Sequence, residues 1–265
     1  MVHAKPLFLK RTNAYAVPMH SRTPLVAANW KMNPPPPGWD APDSPFRPRK
    51  GIDVVVFPAS LDIAATASAS LITGAQCGRA EASGAFTGDI SMSMLKNAGC
   101  TYVLCGHSER RKFHHETDDT IAQQAAAALE TGLIPIVCIG ETAEERKAAQ
   151  QETVIHRQLS AILPLFSKLE GRSSKLILAY EPVWAISGGD PTKPAATPKD
   201  AQEMHALLRS LLPKPLRDST RILYGGSAKP ENAAALIAEP DIDGFLVGGA
   251  SLDASSFGEI VDACA

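Results

Sequence analysis

Three side chains that can move a proton or stabilise charge each stand at the end of a short apolar run. They are Lys31, His107 and Glu181. A carboxylate can act as a general base, an imidazole as an electrophile or proton shuttle, and an ammonium group can stabilise negative charge. The sequence shows no metal-ligand set and no dinucleotide-binding GxGxxG pattern beside them. These residue types therefore indicate proton transfer that needs neither a metal nor another cofactor.

Two glycine-rich turns follow later apolar runs, Gly225-Gly226-Ser227 and Gly248-Gly249. Glycine lets a backbone N–H group come close to an anion, and a helix that starts nearby adds its positive end. Loops after the seventh and eighth strands of a (β/α)8 barrel are a recurring phosphate site. The glycine pairs therefore predict a small phosphate monoester as the substrate.

Eight short apolar runs predict eight β-strands, and helical patterns follow most of them. Parallel strands need such crossovers, and eight strand–helix units in a chain of 265 residues fit a closed (β/α)8 barrel of the α/β class. Active sites of such barrels lie at the carboxyl ends of the strands, where all the polar residues above are placed. The runs are 24–29, 52–57, 72–77, 102–106, 134–139, 176–180, 221–224 and 244–247.

Helix signals lie between the predicted strands. An alanine-rich stretch predicts a helix over 117–131, and a capping box at Thr142 predicts a long helix toward Leu163. Thr197 followed by proline predicts the start of a helix through Leu212, and a shorter helix is expected to start at Pro230.

The segment 34–48 cannot form the first barrel helix, because it contains seven prolines. Proline inside a helix costs about 3 kcal/mol. We therefore expect an irregular segment in place of this helix. Its only large apolar side chains, Trp39 and Phe46, should cover the gap between the first and second strands, singly or together.

Composition limits the remaining functional classes. A net charge of −2 gives no basic patch for nucleic acid or a membrane surface, and no apolar run is long enough to span a bilayer. Residues 1–21 are expected to be an N-terminal extension, and 22–265 a single barrel domain. The extension is basic, so organelle targeting is an alternative to the predicted cytoplasmic location.

Five motifs mark the ends of predicted strands. They start at Asn29 (Asn-Trp-Lys-Met-Asn), Gly106 (Gly-His-Ser-Glu-Arg-Arg), Ala179 (Ala-Tyr-Glu-Pro-Val-Trp-Ala-Ile), Tyr224 (Tyr-Gly-Gly-Ser) and Gly248 (Gly-Gly-Ala-Ser-Leu). Together they resemble triosephosphate isomerase, in the order found in that family. The resemblance covers residue 22 to the C-terminus and implies a TIM barrel. It also implies a cofactor-free interconversion of dihydroxyacetone phosphate and glyceraldehyde 3-phosphate through an enediol(ate).

The resemblance also implies a role for each candidate residue. Asn29 and Lys31 would hold the substrate, and Lys31 would also stabilise the enediolate. His107 would polarise the carbonyl group, and Glu181 would move the proton between the two carbons. Glu109 matches a buried acidic residue near the lysine. Backbone N–H groups for the phosphate would come from Ser187, Ser227, Gly248 and Gly249.

Two regions depart from the family's pattern. The loop that closes over the active site in this family, the lid, reads Ala-Ile-Ser-Gly-Gly over 185–189 and runs on through Pro194. It is longer than usual, so the resemblance does not fix the rate at which it closes. The loop from Gly74 to Ser91 resembles the one that joins two subunits, although Cys77 stands where asparagine is usual. The resemblance still implies a homodimer, with Thr87 near the partner's site.

Two alternatives stay open at this point. The chain could be another phosphate-binding barrel isomerase or synthase, but such an enzyme does not explain the Asn29 and Ala179 motifs. It could also be a catalytically silent relative that acts as a binding or structural subunit. A silent relative has no chemical need to keep Lys31, His107 and Glu181 together.

Overall fold

Eight parallel strands form the centre of the molecule in the computed structural model, which describes residues 22–167, 175–186 and 195–265. The strands are β1 Leu25–Asn29, β2 Asp53–Phe57, β3 Gly74–Ala75, β4 Tyr102–Cys105, β5 Ile134–Ile139, β6 Ile177–Tyr180, β7 Ile222–Tyr224 and β8 Gly244–Val247. They lie in the order β2-β1-β8-β7-β6-β5-β4-β3. A parallel bridge between Val56 and Thr73 joins the two outer strands. The predicted (β/α)8 barrel is thus confirmed.

Ten α-helices are found in the described part of the chain. They are α1 Ile63–Ser68, α2 Met92–Asn97, α3 Ser108–His114, α4 Asp118–Glu130, α5 Ala143–Lys147, α6 Gln151–Ser167, α7 Pro198–Leu211, α8 Lys214–Arg217, α9 Pro230–Ile237 and α10 Ala254–Asp262. The predicted helix starts at Thr117, Thr142 and Thr197 are confirmed, since each threonine side chain accepts a backbone N–H of the first turn.

The single long helix predicted from Thr142 to Leu163 is wrong. The chain forms α5 and then α6, and between them Ala149 has a left-handed backbone with φ of 53°. Alanine and glutamine favour helices, so no local residue type indicates this break.

The third strand is also shorter than the predicted run 72–77, because the chain bends at Gln76.

Alternate residues of each strand face two different cores. One set fills the barrel interior, where Ala27, Val55, Leu104 and Ile136 are fully or almost fully buried. The other set packs against the surrounding helices. Because the strands are parallel, the polar residues that follow them lie at one rim of the barrel.

The proline-rich segment 34–48 forms no helix, as predicted. Its backbone turns repeatedly, with hydrogen bonds between residues three apart, such as Trp39 N–H to Pro36 O at 3.1 Å and Ser44 N–H to Ala41 O at 3.0 Å. The Arg47 guanidinium also donates to the carbonyl of Ala41 at 2.7 Å. Turns and one side chain thus replace the helical hydrogen bonds.

Phe46 provides the apolar cover that the missing helix would have given. It is fully buried, stacks on Phe257 of α10 with ring centres 4.7 Å apart, and meets Trp30 edge-on at 5.4 Å. Trp39 is half-buried and also contacts Trp30, at 6.3 Å. Both aromatics belong to the core that includes Val26 of β1 and Val54 of β2, so the predicted packing is confirmed.

Some predictions fall on residues that the structure does not describe. The N-terminal extension 1–21 and the lid residues 187–194, including Ser187, lie outside the described ranges. Within those ranges, no helix has the length and apolar character required to cross a membrane.

Candidate active site

Lys31 lies two residues beyond the end of β1, in a strained backbone conformation. Its φ is 52°, in the left-handed region, which costs a residue other than glycine about 1–3 kcal/mol. The Lys31 N–H donates to Oδ1 of Asn29 at 3.1 Å. The amide Nε2 of Gln76 donates to the carbonyls of Lys31 at 2.8 Å and Phe57 at 3.0 Å. These contacts hold the lysine backbone in place.

The Lys31 side chain lies between a carboxylate and a glycine. Its Nζ is 2.5 Å from Oε1 of Glu109, so this acidic residue lies beside the lysine. Glu109 is not buried in the single chain, however, since 43% of its side chain is exposed. On the other side, a Cβ added to Gly248 would lie 3.2 Å from Cε of Lys31. Gly248 therefore leaves room for the lysine.

His107 caps α3 with its own ring. Nδ1 accepts the backbone N–H of Glu109 at 3.2 Å, so this nitrogen carries no proton. The ring proton is therefore assigned to Nε2, which lies 3.1 Å from Oε1 of Glu181. A neutral ring in this tautomer can donate one hydrogen bond into the site.

Glu181 follows β6 and is 2% exposed. Its second oxygen, Oε2, accepts the backbone N–H of Ser108 at 2.8 Å. The Cys138 thiol lies beside this carboxylate, and burial followed by the negative charge of Glu181 raises the pKa of Cys138 well above its usual value. The thiol therefore stays neutral and adds no charge next to the carboxylate.

Two glycines allow neighbouring strands to come close to Glu181. A Cβ at Gly140 would lie 1.7 Å from the Glu181 carbonyl oxygen, and a Cβ at Gly225 would lie 2.9 Å from its Cγ. Real Cβ atoms essentially never make contacts this short, so a side chain at either position would force its neighbours to shift. The position of Glu181 thus depends on the absence of side chains after β5 and β7.

The glycine-rich turns after β7 and β8 lie at the same end of the barrel. Ser251 Oγ donates to the Gly248 carbonyl at 2.7 Å and approaches the Asn29 carbonyl at 3.4 Å, which ties the turn after β8 to β1. A Cβ at Gly249 would meet nothing within 4 Å, so this position faces open space. The Ser227 carbonyl accepts from Nδ2 of Asn232 at 2.9 Å.

The structure brings five of the predicted residues into one connected group. Direct contacts or hydrogen bonds join Asn29, Lys31, Glu109, His107 and Glu181, and Gly248 lies against the lysine. Ser227 and Gly249 lie at the same rim without a direct contact to this group in the described residues. No group of three or more His, Cys, Asp or Glu side chains suitable for a metal ion occurs there either.

Sequence reasoning missed a buried carboxylate that contacts Tyr180 and Trp184. Glu141 is fully buried and accepts from the Tyr180 hydroxyl at 3.0 Å and from Trp184 Nε1 at 2.8 Å, while Arg146 Nη1 lies 3.2 Å away. Burial and the adjacent Glu141 charge raise the pKa of Tyr180, which keeps the phenol protonated as a donor. Glu141 thereby fixes Trp184, which directly precedes the lid. The sequence indicated this role only by placing Glu141 shortly after the apolar run of β5.

Replacing Glu141 with glutamine should lower the free energy of unfolding by about 1–3 kcal/mol, because the amide N–H₂ would face other donors in a buried place. Denaturant unfolding measures this loss. Glu144→Gln is the matched control, since Glu144 is exposed in the first turn of α5. Equal stability of the two variants would contradict the role given to Glu141.

Comparison with known proteins gives the family. A family model described as triosephosphate isomerase matches residues 24–264. The chain belongs to the triosephosphate isomerase family. Curated proteins named triosephosphate isomerase are similar over nearly all of this chain. The relative from Symbiobacterium thermophilum is 45% identical over 260 residues, covering 92% of this chain and 98% of its own.

Two further relatives show the same extent of similarity. The triosephosphate isomerase of Magnetococcus marinus is 44% identical and that of Pelobacter propionicus 42%, each covering 91% of this chain and 98% of its own. The resemblance read from the five motifs is therefore confirmed. Members of the triosephosphate isomerase family are isomerases, which agrees with the proton-transfer chemistry expected from Lys31, His107 and Glu181.

Proposed function

We propose that this chain interconverts dihydroxyacetone phosphate and D-glyceraldehyde 3-phosphate, a step of glycolysis and gluconeogenesis. The observation that carries the proposal is the pair formed by His107 and Glu181, 3.1 Å apart, with Lys31 joined to the same group through Glu109. The reaction moves a proton between two adjacent carbons of one substrate, so it needs no external oxidant or reductant. The site therefore needs a base, a hydrogen-bond donor and a cation, and no cofactor.

Glu181 is the proposed base. It takes a proton from one carbon of the substrate and returns it to the neighbouring carbon, passing through an enediol(ate). A second proton moves from the hydroxyl oxygen to the former carbonyl oxygen, with His107 as the proposed shuttle. The Ser108 N–H now holds Oε2, so the carboxylate must leave this hydrogen bond to approach the substrate. In the same step, the carbonyl oxygen of the substrate becomes the acceptor of the His107 Nε2 proton.

Lys31 and Asn29 are the proposed substrate-binding pair at the end of β1. The ammonium group stabilises the negative charge that develops on the enediolate, and an electrostatic contact of this kind is strong in a site that excludes water. Glu109 holds the ammonium at 2.5 Å, which fixes its position before the substrate arrives. The strained backbone of Lys31 supports this arrangement, since Gln76 and Asn29 both restrain it.

The phosphate is proposed to bind the backbone N–H groups of Ser187, Ser227, Gly248 and Gly249. The open space at Gly249 and the closeness of Gly248 to the Lys31 side chain support this part of the proposal. A phosphate there lies on the same side of the barrel as Glu181, which leaves the carbons of a small triose near the carboxylate.

A coupled assay of glyceraldehyde 3-phosphate isomerisation tests the proposal directly. We expect turnover with this substrate and none that depends on an added metal or nucleotide. A silent relative would bind phosphate without turnover. An isomerase for another substrate would turn over a different sugar phosphate instead.

Replacing Gly248 with valine should weaken binding of inorganic phosphate by at least about tenfold, because a hydrogen bond to a charged group is worth about 1.5–3 kcal/mol. The new side chain would also displace Lys31, whose Cε lies 3.2 Å from the added Cβ. Calorimetric titration measures the affinity. Gly258→Ala on α10 is the control, since its Cβ would make an ordinary contact of 3.4 Å with Pro45. Unchanged phosphate affinity in the valine variant would place the phosphate elsewhere.

We also propose that the chain is a cytoplasmic homodimer that docks through the loop 74–91, with Thr87 near the partner's site. Large exposed apolar side chains support this surface. They are Met32, Leu61, Met94 and Phe113, at 95%, 95%, 54% and 65% exposure, and all come from the first four strand–helix units. A cavity of about 560 Å³ lies beside the same loop, lined in part by Cys77 and Arg110. Analytical ultracentrifugation should give the mass of two chains.

A further inference from the structure

The loop 74–91 is organised around the guanidinium group of Arg79. Nη1 donates to Oδ2 of Asp89 at 2.6 Å, and Nε lies 2.9 Å from Oε2 of Glu81. The face of the guanidinium covers the Phe86 ring, with Cζ 3.7 Å from the ring centre. One side chain thus contacts residues on both sides of the loop tip and the aromatic ring at the tip itself.

The backbone of Arg79 closes the base of the same loop. Its N–H donates to the Ile90 carbonyl at 2.8 Å, and its carbonyl accepts from Met92 N–H at 3.3 Å. Arg79 therefore holds the loop at two levels, through the backbone at the base and through the guanidinium at the tip.

The tip bends back so that Phe86 lies under the guanidinium. Gly84 and Gly88 flank it with φ of 149° and 91°, conformations that favour glycine. The Phe86 N–H donates to Gly84 O and the Asp89 N–H donates to Phe86 O, both at 3.0 Å. A Cβ at Gly84 would lie 2.7 Å from the ring. Phe86 is half-buried in the single chain, whereas residues 81–85 are exposed.

The ion pairs of Arg79 are partly exposed to solvent in the single chain. An exposed ion pair contributes little on its own, and the side chains of Arg79, Glu81 and Asp89 are 37%, 48% and 46% exposed. The contacts to Arg79 share one guanidinium, however, so they select one loop shape together. A cation over an aromatic face also becomes stronger when water is removed from it.

We propose that Arg79 preorganises the loop 74–91 for docking against a second copy of this chain. This inference rests on the homodimer proposed above and adds the residue that determines its affinity. A loop ordered before association loses less conformational entropy on binding, so the dimer is tighter. Docking then covers the Arg79–Phe86 contact and strengthens it.

Arg79→Met tests the proposal, since methionine keeps a long side chain without the charge or the planar donor group. We expect the dimer dissociation constant from ultracentrifugation to rise by about tenfold or more, because the change affects two loops in each dimer. Hydrogen exchange of residues 80–89, measured on monomers at high dilution, should be faster than in the unaltered chain. Phe86→Leu should give a change in the same direction.

Arg49→Met is the matched control. Arg49 lies outside the loop and forms an ion pair with Asp262 on α10. Loss of this ion pair should therefore leave the dimer dissociation constant unchanged. If the unaltered chain is a dimer and Arg79→Met has the same dissociation constant, the role of Arg79 is overturned and the homodimer proposal stands. A monomeric unaltered chain at every concentration would overturn the dimer as well. Unchanged loop exchange in Arg79→Met would also contradict preorganisation.

Discussion

Replacing Glu181 with glutamine is expected to lower turnover by about 10²- to 10⁴-fold, the usual contribution of a positioned general base. The amide has nearly the shape of the carboxylate, and its oxygen can still accept the Ser108 N–H now bound at 2.8 Å. The barrel should therefore stay folded while the group that accepts the substrate proton is lost. Steady-state kinetics measure the change.

Glu181→Asp is the matched variant, because it keeps the charge and withdraws the carboxylate by one methylene. We expect an intermediate loss, since a misplaced reacting group lowers the rate even when its chemistry is unchanged. Melting temperatures close to that of the unaltered chain would confirm that the fold survives. Turnover near the original level in the glutamine variant would show that another group moves the proton.

Phe46→Ala is expected to lower the free energy of unfolding by about 3–5 kcal/mol, the range found for buried phenylalanines. Phe46 is fully buried between Trp30 and Phe257, so its removal leaves a cavity between these two rings. Denaturant unfolding measures the loss. Substrate affinity should change little, since Phe46 lies on the outer side of the barrel strands.

Two related variants make this result specific. Phe46→Leu keeps most of the buried volume and should cost clearly less than the alanine variant. Trp39→Ala should also cost less, because Trp39 is only half-buried. A loss below 1 kcal/mol in Phe46→Ala would mean that the core does not depend on the cover provided by the proline-rich segment.

The sequence predicted those features that rest on local signals. Each barrel strand is an apolar run, and threonine at 117, 142 and 197 marks a helix start because the side chain caps its own backbone. Lys31, His107 and Glu181 were chosen as candidates because each lies at or just beyond the end of such a run. The seven prolines of 34–48 excluded a helix for an equally local reason, the missing N–H groups.

Features that depend on distant contacts could not be predicted in this way. Gln76 contacts the carbonyl of Lys31, which lies 45 residues away in the chain, and Trp184 contacts Glu141 across 43 residues. The break at Ala149 falls among residues that favour helices, so local helix preference does not predict it. The exposed fraction of the Glu109 side chain in the single chain likewise depends on distant contacts, which no local sequence pattern encodes.

The proline-rich segment 34–48 also has a consequence for the chain before it folds. A proline ring holds φ near about −65°, so each proline reduces the number of backbone conformations open to the unfolded state. Where the folded backbone accepts it, this restriction is worth about 0.4–1 kcal/mol of stability per proline. The seven rings that rule out a helix therefore also reduce the entropy lost on folding. Part of the stability that this segment provides thus comes from restricting the unfolded chain, and no contact in the folded protein accounts for it.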